Sequence, residues 1–417
     1  MAEQNTVTEG NPADLLSRRQ ALWLTGAGLS LIAVCYGLAR FAYGLFVPAF
    51  RAEFALDAGT AGGIASGSYV SYCIAIIAST ILTPRFGGRA IAAAGGIIAT
   101  VGVLIVAVAP TAGVLAAGVL IAGSSTGVAS APLAHAVALT VQVPIRNRTQ
   151  TVINAGTGVG VAIAGPIALL THEHWRPAWV VFAIVCALVT VWVLFTVPSG
   201  PTKRSSTGTV EALIARPLLP TGSGRLVAAA LLMGAASSAV WTFGRDVLIN
   251  TGGMSESGSS IAWIFLGASG VLGAATGDLA CRFGITASWT AAMLVLATAT
   301  TLLAAYPGAL AVAWLASAAF GAAYIALTGL LLIWGTDVYA KTAAAGVGLA
   351  FLTIALGQAL GAPTLGALSE ASGPLSAFIT AAVIAVLGAF IRPPRDRELP
   401  RHKQSVAGPE CRAAPTG

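Results

Sequence analysis

The sequence predicts an all-α membrane protein of twelve transmembrane helices in two parallel six-helix halves. Three observations predict it. The 417 residues are 56% hydrophobic and only 9% charged. The chain divides into twelve long apolar runs. A short basic turn, 82-LTPRFGGR-89, recurs 197 residues later as 279-LACRFGIT-286.

Composition excludes a water-soluble fold. Soluble domains carry about 25% charged residues, and a mean hydropathy of +0.84 lies far outside that class. Surface-to-volume scaling does not let a soluble chain hide so much apolar surface. The solvent for most of this chain is therefore lipid. The first residues carry Glu3, Glu9 and Asp14, and the apolar run from Ala21 to about Phe50 exceeds a signal-peptide core, so no cleaved signal is expected. Five cysteines are scattered, mostly inside apolar runs. They indicate neither a disulfide framework nor a metal cluster.

A spanning helix needs about 20 mostly apolar residues. The runs fall at 21–48, 59–82, 90–109, 112–139, 149–171, 176–197, 224–248, 257–279, 285–305, 309–333, 344–369 and 373–391. Their length argues against barrel strands, which would alternate over about ten residues. Frequent glycines three or four apart suit close contact between helices in lipid. The expected organisation is an N-terminal tail (1–20), a first six-helix half (21–197), a polar linker (198–223), a second half (224–391) and a disordered tail (392–417). A short interfacial helix near 209–216 is expected within the linker.

Charge orients the chain. With the N-terminus cytoplasmic, inward segments hold eighteen Lys and Arg, and outward ones hold only Arg51, Arg176 and Arg245. Such a bias places both termini in the cytoplasm. It also accounts for the net charge of +7 without a nucleic-acid partner. The expected location is a bacterial cytoplasmic membrane, multi-pass, with the protein a monomer in the bilayer.

The repeat holds at several places in one register. The 197-residue offset maps Arg85-Phe86-Gly87 onto Arg282-Phe283-Gly284, Pro110 onto Pro307, Gly160 onto Gly357 and Pro166 onto Pro363. Each half has an even number of spans, so the repeats are parallel, related by an axis along the membrane normal.

These residues resemble the major facilitator superfamily over nearly the whole chain. In that family the turn between the second and third helices reads about G-x-L-A-D-R-x-G-R-R. Here Pro84 stands at the aspartate position of the first copy and Cys281 at that of the second, with Asp278 three residues earlier. Gly156, Gly158, Gly160, Gly165 and Pro166 resemble the glycine-rich motif of the family's fifth helix, although the motif's trailing glycine pair is absent. The fourth span lacks the arginine typical of many proton antiporters. Arg40-Phe41-Ala42-Tyr43 with Pro48 is similar to the YbfB/YjiJ-type bacterial permease group. The resemblance implies a secondary transporter, no cofactor, and a cytoplasmic gate at Arg85, Arg89 and Arg282. It also implies that Gly156, Gly160, Gly165 and Pro166 allow close packing and bending of the fifth span.

Once the Lys and Arg at span ends are assigned to the inward and outward segments, Arg40 alone is left within a span. Two readings are open: it snorkels to the headgroups, or it faces a central cavity and pairs with an anionic substrate. Tyr36, Arg40 and Tyr43 are four and three apart and share a helical face. With Tyr324 and Gln358 they form the expected substrate wall; Tyr69, Tyr72 and Asn154 are further polar candidates. No acidic residue falls at the centre of a span. Candidates for proton coupling are therefore His135, Asp246 and Asp278. His135 could equally be a packing residue, and Asp246 could form a local surface pair with Arg245. His172 and His174 flank Glu173, but no further ligands lie nearby and no metal is expected.

The function expected is secondary active transport of a small organic solute, anionic if Arg40 binds it, by alternating access, with efflux by proton antiport favoured. The alternatives are uniport or import of an organic anion, and a receptor or scaffold on a transporter fold. No P-loop supports ATP drive, and no convergent Asp, His and Ser group supports an enzyme.

Overall fold

The computed structural model describes residues 16–171, 174–199, 219–339 and 342–393. Helix follows helix, with no strand among the described residues. α1 spans Arg18–Phe54. It starts on a capping box in which Ser17 and Gln20 satisfy each other's backbone N–H. It ends at Ala55, which takes a left-handed conformation (φ 49°). α2 (Ala58–Phe86) starts on Asp57, whose carboxylate accepts from Thr60 N. α3 (Gly88–Ala107), α4 (Ala112–Thr140), α5 (Val143–Leu170) and α6 (Trp175–Thr196) complete the leading set.

The trailing set begins with α7 (Ser223–Thr251). The run predicted as one span at 257–279 is broken. α8 (Glu256–Gly270) passes through a 3-10 segment, Val271–Ala275, into α9 (Thr276–Phe283). The cause is local: 267-GASGVLGAATG-277 is almost all small residues, and glycine is a poor helix former. α10 (Ile285–Ala305), α11 (Leu310–Val338), α12 (Ala343–Ser372) and the 16-residue α13 (Pro374–Ala389) follow.

Ten of the described helical stretches are long and apolar enough to cross a membrane, α8, α9 and α13 falling outside that count. Their outward faces explain the composition. On α6, Ile184, Leu188, Val191 and Phe195 recur at helical spacing and all are exposed. Such a stripe is an aggregation site in water and a matched surface in hydrocarbon.

Interiors are closed by small residues. A Cβ on Gly102 would collide with Ala122, fixing α3 against α4. Gly160 sits against Ala33 O, joining α5 to α1, and Gly357 sits against Leu231 O, joining α12 to α7. These two glycines are matched by the 197-residue offset. The repeated turns also match in conformation: Gly87 has φ 85°, ψ 156° and Gly284 has φ 79°, ψ 151°. That region of backbone space is open essentially only to glycine. Arg85 lies over Phe86 at 5.4 Å, and Arg282 lies over Phe283 at 5.3 Å.

The leading and trailing sets meet along three seams: α1 with α7, α2 with α12, and α5 with α8. On the second, Gly366 abuts Ala58 O and Gly62 abuts Ala362 O, while Ser66 Oγ donates to Ala359 O at 2.6 Å. Cys73 Sγ donates to Leu352 O at 3.8 Å, about four turns from the start of α2. These approaches run from the face carrying Arg51 inward to about the level of Arg40. Gly165 of α5 meets Ile264 of α8 in the same zone, with Pro166 next to it inside the helix.

Most of the linker and the tails lie outside the described residues, and with them the expected interfacial helix at 209–216 and the expected disorder of 392–417.

Candidate functional site at Arg40

Within α1, residues Ala33–Phe41 form a π-helix. Such wide turns inside α-helices are frequent at functional sites. Here Gly37 allows the wide turn to lie directly on Gly160 of α5, where any Cβ would meet backbone. The segment delivers Arg40 into the protein, where it is only 6% exposed. Arg40 Nη2 donates to Gln358 Oε1 of α12 at 2.8 Å. Gln358 Nε2 in turn donates to Tyr324 OH of α11 at 3.3 Å.

Four rings surround the guanidinium: Tyr72 at 4.5 Å, Tyr69 at 4.8 Å, Phe41 at 5.2 Å and Tyr36 at 5.9 Å. Phe41 stacks on Trp241 of α7 at 4.0 Å, and Trp241 meets Tyr324 edge-on at 5.1 Å. Tyr36 OH is 3.0 Å from Ser130 Oγ on α4. The site thus draws on both sets of helices at the inner limit of their seams.

Its energetics are one-sided. Burying a cation costs several kcal/mol, after relaxation, unless an anion and further hydrogen bonds compensate. Each cation–π contact returns about 0.5–2 kcal/mol, and Gln358 supplies a neutral acceptor. Arg40 Nε is buried with no hydrogen-bond partner. Among the described residues, the ion pairs use Arg51, Arg176 and Arg245, not Arg40. The site is a fixed positive charge with unfilled donor capacity.

A second polar cluster closes the Arg51 face. Arg51 of α1 bonds Asp246 of α7 and, at 3.2 Å, Glu370 of α12. Glu370 also accepts from Ala58 N at the start of α2, and Asn250 Nδ2 donates to Asp246 at 2.8 Å. Arg245 Nη1 donates to Leu45 O at 2.7 Å, a further tie between the sets. The expected local pair between Asp246 and Arg245 is corrected here. Successive residues of a helix point apart, so Asp246 turns to Arg51 while Arg245 turns to Leu45, Ser259 and Ser260.

The remaining predicted residues are placed as follows. Tyr43 does not join Tyr36 and Arg40: its hydroxyl donates to Ala61 O at 2.9 Å and its ring stacks on Phe50. The shared face assumed α-helical spacing, and the π segment breaks it. His135 is half-buried on α4, five residues from Ser130. Arg85 and Arg282 are exposed, and Arg89 Nε donates to Val197 O on its own side of the protein. Gly156 abuts Leu29 O on α1. Gln150 bonds Asn154 at 3.1 Å. His172, Glu173 and the side chain of Asp278 lie outside the described residues. Among the described residues no three His, Cys, Asp or Glu side chains are grouped to hold a metal ion.

The sequence profile of the Major Facilitator Superfamily matches residues 29–361. The chain belongs to the Major Facilitator Superfamily. Solved transporters of similar fold include the nucleoside transporter NupG, in a D323A mutant (TM-score 0.72, 16% identity, covering 89% of this chain and 98% of that one). A second structure of nucleoside transporter NupG gives a TM-score of 0.70 at 15% identity, covering 89% and 97%. A POT family transporter in complex with 5-aminolevulinic acid gives 0.68 at 14%, covering 89% and 95%. At these identities the likeness establishes the fold. No curated protein matches the chain significantly.

As a superfamily member the chain is a multi-pass membrane transporter. Phe41 is legible in the sequence only as part of the Arg40-Phe41-Ala42-Tyr43 motif, while Trp241 and Ser130 look like any residue of their type in an apolar run. Charge alone gives Arg51 no more than an orienting role. The usable signal for Arg51 was its pattern with Asp246 and Glu370: three charges at the same-side ends of three predicted spans.

Proposed function

We propose that this superfamily member is a secondary active transporter that exports a small organic anion across the bacterial cytoplasmic membrane, in exchange for protons, by alternating access. In this reading α8 and α9 together form one span and α13 another. Twelve spans then make two parallel six-helix halves, with the Arg85 face cytoplasmic and the protein a monomer. The matched glycines and the matched RFG turns support the symmetry, and the skewed Lys and Arg distribution supports the orientation. The motif Arg40-Phe41-Ala42-Tyr43 supports the YbfB/YjiJ-type group.

One observation carries the functional reading. Arg40, from the first half, is buried and held by Gln358, from the second half, with Nε unfilled. A binding charge at the junction of the halves lets occupancy bias their relative position, since a ligand shifts an equilibrium only through differential contacts. Asp246 is our candidate proton acceptor. Protonation would remove the charge that holds Arg51 and so loosen the Arg51 face. Arg85, Arg89 and Arg282 would re-pair on the opposite face when that side closes.

The test is flux. Purified protein in liposomes with an imposed pH gradient should move an organic anion and dissipate the gradient, and Arg40→Gln should abolish both. If a broad solute panel moves no faster than in empty liposomes, the receptor or scaffold reading replaces transport. If anions move without proton movement, uniport replaces antiport.

A further inference from the structure

This inference rests on the transporter reading and names the substrate class. We infer that the Arg40 site takes a small, planar, aromatic monocarboxylate bearing no positive charge, whose carboxylate displaces Gln358 Oε1 from Arg40.

The charge follows from the donors. Arg40 is a permanent cation, 6% exposed, with Nε unpartnered and Nη2 on a neutral amide. A carboxylate can span adjacent guanidinium N–H groups in a fork, and charge-assisted bonds are about twice as strong as neutral ones. It therefore outcompetes the amide oxygen.

The absence of positive charge follows from where the acids are. Glu53, Asp246, Glu256 and Glu370 all belong to the Arg51 face and all are engaged there. Asp246 is the deepest of them on its helix, and its carboxylate is held by Arg51 and Asn250. The ring of residues around Arg40 offers Tyr, Phe, Trp and Gln but no carboxylate. An ammonium group on the substrate would meet Arg40 without a counter-charge, and like charges in a low dielectric repel strongly.

Planarity follows from the walls. Tyr69, Tyr72 and Tyr36 flank the cation, and the Phe41–Trp241 stack adjoins it with Tyr324 at its edge. Flat rings favour offset-stacked or edge-on partners, each worth about 0.5–1.5 kcal/mol beyond burial. An aromatic acid satisfies both the charge and the walls.

The same geometry joins binding to movement. When a carboxylate replaces Gln358, the Arg40–Gln358 bond between α1 and α12 is lost, and one tie at the inner limit of the seam goes with it.

The experiment uses full-length protein in nanodiscs, with thermal shift and tryptophan quenching as readouts. The probes are benzoate and 2-naphthoate, against cyclohexanecarboxylate, benzamide and 5-aminolevulinate. Benzoate or 2-naphthoate should bind at least tenfold more tightly than the other three. Arg40→Gln should lose that binding by tenfold or more. Because removing Arg40 could disturb folding, Gln358→Glu provides a second arm. An internal carboxylate there should occupy Arg40, raise Tm and abolish benzoate binding. The inference is overturned if benzamide or 5-aminolevulinate binds as tightly as benzoate. It is also overturned if no planar carboxylate binds, or if Gln358→Glu is stable and still binds benzoate as the wild type does. Liposome flux separates the two readings. Benzoate binding without flux overturns transport and keeps the site assignment. Flux confined to nucleosides or zwitterions overturns the site assignment and keeps transport.

Discussion

Arg51 at the end of α1 and Asp246 near the end of α7, 195 residues apart in sequence, form an ion pair that bridges the two sets of helices. Asp246 is 7% exposed and Arg51 is 24% exposed. Breaking a fully buried pair by removing one partner costs about 3–5 kcal/mol, and the partial exposure of Arg51 lowers that to about 1–3 kcal/mol. Asp246→Asn should therefore loosen the Arg51 face. Hydrogen exchange at residues 58–66, on the adjoining α2–α12 seam that Arg51 reaches through Glu370, should accelerate by about 5- to 100-fold, while exchange on the Arg85 face stays as in the wild type. Unchanged exchange along the seam would show that the glycine contacts alone hold it.

Gly160 and Gly63 should respond oppositely to alanine. A Cβ on Gly160 has no room beside Ala33 O, whereas a Cβ on Gly63 meets nothing within 4 Å. Gly160→Ala should cost about 1–3 kcal/mol through overpacking. Gly63→Ala should be neutral or stabilise by up to about 1 kcal/mol, because alanine loses less backbone entropy in a helix. Tm in a fixed detergent reports both. Equal effects would mean that α5 does not rest on α1 as described.

The two repeated turns should pay equal penalties. Gly87 and Gly284 have nearly the same positive φ and open space where a Cβ would go. Alanine at either position should cost about 1–3 kcal/mol from backbone strain alone. The double variant should show the sum, since distant sites add. A large difference between the single variants would deny the turns a common conformation.

Asp57 links the start of α2 to pH. Its carboxylate accepts from Thr60 N, which holds its pKa below the usual carboxylate range. A depressed folded pKa means that the cap's contribution is present above the unfolded pKa and is lost as pH falls through the folded one. Exchange in the first turn of α2 should accelerate below about pH 4, near the ordinary Asp value. In Asp57→Asn, which keeps an acceptor and removes the titration, that acceleration should vanish. Acceleration of the same size in both proteins would exclude the cap as its source.

Much of this protein was legible in its sequence. Apolar run length located most helices to within about six residues, the broken run at 257–279 excepted, because lipid leaves backbone groups no partner but one another. The RFG turns and the matched glycines announced the repeat, because a positive φ and a carbonyl in van der Waals contact each admit only glycine. Arg40 and Gln358 could be suspected one at a time, since a polar residue in hydrocarbon is costly enough to need a reason. That they touch was beyond the sequence: 318 residues separate them, and no local rule couples α1 to α12. Tyr43 shows the same limit. Its spacing from Arg40 promised a shared face under α-helical geometry. The π-helix over Ala33–Phe41 turned it toward Ala61 instead, and that wide turn packs through Gly37 on Gly160 of another helix. Helix geometry alone turns Asp246 away from its neighbour Arg245, but that it meets Arg51 depends on α1 lying beside α7. Solvent acts along the chain, so sequence alone determined which segments are apolar and long enough to lie in lipid as helices. Partners for buried charge are set by which helices lie side by side, and only the tertiary structure decided those.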